Sequence, residues 1–171
     1  FINLDGNESL SELADRMGET VATLGALQRR LYRLSRMPFL VSNASSDPLN
    51  RILECLERGT HVVLEFGVHG RSLEAYILVA NLLTRRIFER YIQRSQEAEG
   101  NGQPKPRPLT ICIEEAHRFL DPSLADQTIF GTIAREGRKF NVTLLIIDQR
   151  PSGIDREVRS QLGTRIVYPL D

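Results

Sequence analysis

The stretch Leu109-Thr-Ile-Cys-Ile-Glu-Glu constrains this chain more than any other. An apolar, β-favouring run stops abruptly at two adjacent carboxylates, Glu114 and Glu115. A run of this length reads as a buried strand. Its charged end then lies at the carboxyl edge of a sheet, where open α/β folds bind ligands. Neighbouring residues on extended backbone point in opposite directions, so one carboxylate can face a metal shell while the other faces a water. An acidic pair ahead of a helix also suits the helix dipole. On these residues alone both readings stay open.

The rest of the chain alternates in kind. Residues 8–36 repeat Leu10, Leu13, Met17, Val21, Leu24, Leu27, Leu31 and Leu34 at helical spacing. Asn7 or Ser9 can cap this segment, and Gly18 and Gly25 can break or bend it. Pro38 and the polar run at 42–48 mark a loop. A short helix is expected over 49–58, closed by Gly59, then a buried strand over 60–67 and a long helix over 71–97. Residues 99–108 are rich in Pro and Gly and read as a loop. After the strand at 109–114 come a helix over 124–138, a strand over 142–148, a turn at Pro151-Ser-Gly153, a helix over 154–162 and a last strand over 164–168. Strands separated by helices predict an α/β fold with a mostly parallel sheet covered on both faces. The expected division is a helical segment and loop over 1–48 and an α/β body over 49–171.

With 171 residues, 41% of them hydrophobic and 26% charged, the chain can bury a sizeable core. Zero net charge excludes a uniformly basic nucleic-acid footprint, though not a local one. Cys55 and Cys112 lie in apolar segments and are expected as buried free thiols of a reducing, cytoplasmic compartment. No cysteine–histidine spacing suggests zinc. No apolar run is long enough to span a membrane.

Two further segments bear on chemistry. Ala134-Arg-Glu-Gly-Arg-Lys139 puts Arg135, Arg138 and Lys139 just ahead of the 142–148 strand. They can be phosphate-gripping cations or an ordinary basic helix end. Asp148-Gln-Arg-Pro-Ser152 follows that strand, so Gln149 falls at the same sheet edge as the glutamates. An amide there can orient water or sense a terminal phosphate, or simply cap a loop. A phosphate-cradling Gly-x-x-x-x-Gly-Lys-Ser/Thr loop does not occur in these residues. Gly67-Val-His-Gly-Arg-Ser72 imitates it, but is too short and carries Arg71 in the lysine's place. It reads as a strand-to-helix turn with Ser72 as cap.

Taken in order, Ile113-Glu-Glu-Ala-His117, Ala134-Arg-Glu-Gly-Arg-Lys139 and Asp148-Gln-Arg-Pro-Ser152 resemble the C-terminal motor half of HerA-type ATPases, in the HerA/FtsK branch of P-loop motors. The resemblance is strongest over 109–170 and looser over 60–97. Residues 1–40 match only the helical insertion such motors carry. It implies part of a RecA-like P-loop NTPase core, ATP and Mg²⁺ as cofactors, a hexameric ring of identical subunits, double-stranded DNA as track and a nuclease as partner. By the same resemblance, Glu114 supports Mg²⁺ by way of water, Glu115 is the catalytic glutamate, and Arg138 is the arginine finger, with Arg135 as competitor. Gln149 is the sensor that reads the nucleotide. The family more often has Asp where Glu114 stands. Its phosphate loop lies upstream of the helical insertion, so a fragment beginning at Phe1 would lack it and hydrolyse ATP poorly. Glu-Glu-Ala-His also resembles the box of tandem-domain helicases, but His117 is expected beside the site or at an interface. Two alternatives remain: a catalytically inactive oligomerisation or partner-docking domain, and a VirB4-like secretion or conjugation ATPase.

Overall fold

The computed structural model describes residues 9–35, 47–67 and 72–168. The chain separates into two compact units, Phe1–Ser46 and Asp47–Asp171.

The first unit contains α1 (Leu10–Met17) and α2 (Val21–Ser35). Ser9 starts α1 through a reciprocal capping box. Its hydroxyl accepts from the Glu12 amide, and the Glu12 carboxylate accepts from the Ser9 amide. Gly18, at φ +66°, ends the helix by donating to Ala14 and Asp15 carbonyls. The expected helical segment is thus two helices, broken at Gly18, one of the two glycines where the sequence allows a break, and continuous through Gly25. Leu13, Ala14 and Leu24 form a small buried cluster between them, with Leu10 against it.

The second unit begins with α3 (Pro48–Glu57), whose N-cap Asp47 accepts from the Asn50 amide. The long helix α4 (Leu73–Asn101) starts at Ser72, whose hydroxyl accepts from the Ala75 amide as the sequence predicts. Gly102 closes it in the left-handed region. Residues 68–71 of the phosphate-loop imitation lie outside the described residues. Arg94 of α4 reaches Glu57 of α3 at 2.7 Å.

Then come β1 (Leu109–Glu114), α5 (His117–Leu120), α6 (Ile129–Glu136), β2 (Val142–Ile147) and α7 (Arg156–Gln161). Single 3-10 turns occupy Ala125–Gln127, Gly137–Phe140 and Pro151–Gly153. The expected helix over 124–138 is therefore a turn, a shorter helix and another turn. β1 and β2 pair in parallel, Leu109 opposite Val142 and Glu114 opposite Ile147. Both strands consequently end at the same edge.

One face of this pair is packed. Ile113 and Val142 are buried, with Leu109, Ile111, Leu144 and Ile146 half-buried beside them. Phe119, Phe130, Leu120, Ile133 and Val158 fill the core, closed by Phe88 and Tyr91 of α4. Each such large side chain stabilises by about 1.5–3 kcal/mol on burial. Phe119 touches Phe130 edge to face at 5.0 Å between ring centres.

The other face is open among the described residues: Thr110, Cys112, Glu114, Thr143, Leu145 and Ile147 are exposed. This corrects the expected sheet covered on both sides. Cys112 is therefore an exposed thiol and Cys55 a half-buried one, both free. Two further expected strands are absent. Residues 60–67 and 164–168 carry no strand; Val63, Ile166 and Val167 are 91%, 77% and 86% exposed. An apolar run becomes a strand only against a neighbouring edge, and among the described residues only β1 and β2 pair. No helix among the described residues is long and apolar enough to cross a membrane.

Candidate active site

The packing that fixes β1 also aims its last residues. Ile113 is buried, so Glu114, next along the pleat, faces outward and is exposed. The strand then stops. Glu115 adopts φ +52°, the left-handed region that a residue with a Cβ enters at a cost of about 1–3 kcal/mol. That turn breaks the pleat and lets Ala116 bury completely as the lead into α5. The Glu115 carbonyl accepts from the Arg118 amide, while its side chain remains half exposed.

α5 lacks a side-chain cap of its own. The missing acceptor comes from the end of the other strand: Asp148 Oδ2 accepts from the His117 amide at 2.7 Å. The same oxygen lies 2.9 Å from His117 Nδ1, and Oδ1 accepts from the Arg150 amide. Burial pushes the Asp148 carboxyl up, but the hydrogen bonds from the His117 and Arg150 amides and the His117 ring outweigh it. Its pKa ends below the ordinary value of 3.8. On the ring's far side, His117 Nε2 faces Glu115 Oε2 at 3.7 Å.

Tyr76 of α4 leans over this edge. Its ring meets Phe119 at 4.9 Å and Phe66 at 4.4 Å. Burial pushes its phenol up; Arg118 pulls it down, and the charges of Glu114 and Glu115 push it up again. Sequence periodicity marks Tyr76 only as part of an apolar helix face, and Asp148 only as one polar residue after a strand. The signal for Asp148 was its place: the first residue past β2, level with Glu115 past β1.

Not all expected site residues meet. Glu114, Glu115 and Gln149 share the carboxyl edge, with Gln149 exposed directly after Asp148. Arg138 lies in the turn that enters β2, at the opposite end of a six-residue strand rising about 3.3 Å per residue. Within one chain it does not reach the glutamates. It is exposed and has no ion-pair partner among the described residues. Arg135, in the last turn of α6, is half-buried and 3.8 Å from Glu157 of α7.

No group of three or more His, Cys, Asp and Glu among the described residues can hold a metal ion. An all-protein cage is therefore not built. A single exposed carboxylate such as Glu114 does suit Mg²⁺, which keeps several waters and takes its other ligands from phosphates.

These features define a class: an α/β chain with paired carboxylates where two parallel strands end, one of them set on strained backbone and backed by a buried aspartate–histidine contact. No family model matches the chain. Known proteins do resemble it. The DNA double-strand break repair helicase HerA of Saccharolobus solfataricus is 45% identical over 140 residues, 80% of this chain and 26% of that protein. The helicase of the same name from Sulfolobus acidocaldarius is 44% identical over 142 residues, 74% of this chain and 29% of its own length. That of Pyrococcus furiosus is 36% identical over 116 residues, 60% of this chain and 21% of its own. In sequence the chain resembles these HerA helicases, and spans between a fifth and a third of their length.

Proposed function

We propose that this chain supplies the water-activating edge of an ATP-driven DNA helicase or translocase of the HerA type. The observation that carries the reading is the pair Glu114 and Glu115 at the shared carboxyl edge of two parallel strands. Its support from outside is the sequence relationship to proteins named as DNA repair helicases. The surrounding fold would be a RecA-like P-loop NTPase core of which 49–171 is a part, with 1–48 as a helical insertion.

In the proposed reaction Glu115 orients a water in line with the terminal phosphorus of ATP and takes its proton. The water oxygen bonds to that phosphorus, and the bridge to the β-phosphate breaks. Glu114 would hold Mg²⁺ by way of water; the ion supplies neutralisation of phosphate charge. Gln149, on the same edge, reads the presence of the terminal phosphate. Arg138 stabilises the developing charge of a nucleotide bound to a neighbouring subunit. Its separation from Glu115 along β2 supports action between subunits, and its exposure leaves it accessible to one. Arg135 is the weaker candidate because Glu157 already engages it. Double-stranded DNA as track, a hexameric ring and a nuclease partner complete the proposal. A few basic loops suffice for phosphate contacts and are compatible with zero net charge.

The test is Glu115→Gln in the full-length protein. Hydrolysis falls by at least about 100-fold while ATP still binds. A variant that hydrolyses ATP at the unaltered rate sinks the reading.

A further inference from the structure

His117 is a motif residue at the carboxyl edge to which the reaction above assigns no part, yet it is held at both its amide and its ring. Asp148 accepts from both its amide and its ring, and the Asp148 side chain is only 3% exposed. Gly153 backs it from the other side: a Cβ there would stand 3.3 Å from the His117 Cβ. An ionised carboxylate can only accept, so Nδ1 carries a proton for Asp148, and a contact from Nε2 to the Glu115 carboxylate requires a proton on Nε2 as well. The ring is then pinned at one nitrogen with the other, Nε2, turned toward Glu115 at 3.7 Å. That is just beyond hydrogen-bond reach and too close for an intervening water. A small rotation of the half-exposed Glu115 side chain closes the gap.

We infer that Asp148 and His117 form a positioning pair for Glu115, in which the buried carboxylate at the end of β2 fixes the imidazole and Nε2 sets the direction of the carboxylate at the end of β1. The inference rests on the reading of Glu115 as the water-orienting residue. It gives β2 a part in aiming the group that β1 carries. It also gives the left-handed turn at Glu115 a consequence: the turn brings the 115 and 117 side chains to the same side of the edge.

Two measurements test the pair. In the full-length protein, His117→Asn keeps an amide N–H near the place of Nδ1, able to donate to Asp148, and removes Nε2. Turnover at saturating ATP is expected to fall between about 10- and 100-fold, with KM for ATP and melting temperature unchanged. His117→Asn turning over at the unaltered rate overturns the inference. The second measurement needs no activity: ¹⁵N spectra of the histidine ring in the unaltered 171-residue chain and in Glu115→Gln. Protons on both ring nitrogens are expected, with an Nε2 resonance that moves when Glu115 loses its charge. An Nε2 resonance indifferent to Glu115→Gln overturns the inference, including where His117→Asn fails to fold. If Glu115→Gln leaves hydrolysis intact, the proposed function fails, and the ring spectra still decide whether His117 and Glu115 are coupled.

Discussion

Two single residues carry measurable backbone and charge effects at this edge. Glu115 stands at φ +52°, a conformation that glycine adopts without cost. Replacing it by Ala and by Gly removes the carboxylate in both cases and leaves the backbone as the difference. Glu115→Gly is expected to be more stable than Glu115→Ala by about 1 kcal/mol in chemical denaturation, because the strain vanishes. Equal stability of the two would mean that the turn stores no strain. Asp148 differs in kind, because its contribution is electrostatic. Its folded pKa lies below the ordinary 3.8, so it binds its proton less readily folded than unfolded. That stability is fully present above 3.8 and is lost as pH falls through the folded value. Asp148→Asn should therefore cost about 1–3 kcal/mol at neutral pH, as for a lost charged hydrogen-bond acceptor. The gap to the unaltered protein should narrow as pH drops below 3.8, read from urea unfolding at a series of pH values. A gap that stays constant across that range would show that neutral packing, and not the carboxylate charge, holds His117.

Among the elements, α6 and the turn that follows it are narrowly fitted, and two glycines are the reason. A Cβ on Gly131 would come within 2.7 Å of the Ala125 carbonyl, and one on Gly137 within 2.6 Å of the Val142 carbonyl. Both obstacles are backbone, so neither can swing aside. The helix start is fixed as well, with the Ile129 amide donating to Asn81 of α4. Gly137→Ala is expected to destabilise the second unit by about 1–3 kcal/mol, seen as a lower denaturation midpoint. Gly18→Ala, strained at φ +66° in open space, should instead loosen α1 and α2. Amide exchange after that change should rise in the first unit and not around Phe119 or Val142, since the two buried clusters are separate. The same elements mark what was legible in the sequence. Ser9 and Ser72 announced their helices because capping is local chemistry. The runs at 109–114 and 142–147 announced β1 and β2 because each found the other as its neighbour. The runs at 60–67 and 164–168 are likewise rich in β-favouring residues but have no partner strand among the described residues, and pairing is a property of the fold, invisible in the run itself. The break at Glu115 and the contact between His117 and Asp148 were hidden for a similar reason. They join positions 31 residues apart, and no periodicity connects them.

At the scale of the whole molecule, the proposed function asks the sheet edge for one half of a nucleotide reaction. Its described residues provide the carboxylates Glu114 and Glu115 and the amide of Gln149, suited to water and metal. They provide no Gly-Lys pair, and the sequence contains none, so the donors that grip the phosphates of ATP are lacking from these residues. Arg138 stands at the far end of β2 from the glutamates and does not supply them within one chain. Catalysis by positioned water requires that the phosphorus be held in line, and a water-directing glutamate without a held phosphate accelerates little. The purified 171-residue chain should therefore hydrolyse ATP with magnesium at a rate indistinguishable from its own Glu115→Gln variant, whereas the same substitution in the full-length protein removes turnover. Phosphate-release assays on the two pairs, run at equal subunit concentration, decide it. Magnesium-dependent turnover by the 171-residue chain that disappears with Glu115→Gln would mean that these residues alone hold the phosphates, and the division of labour argued for the site would have to be abandoned.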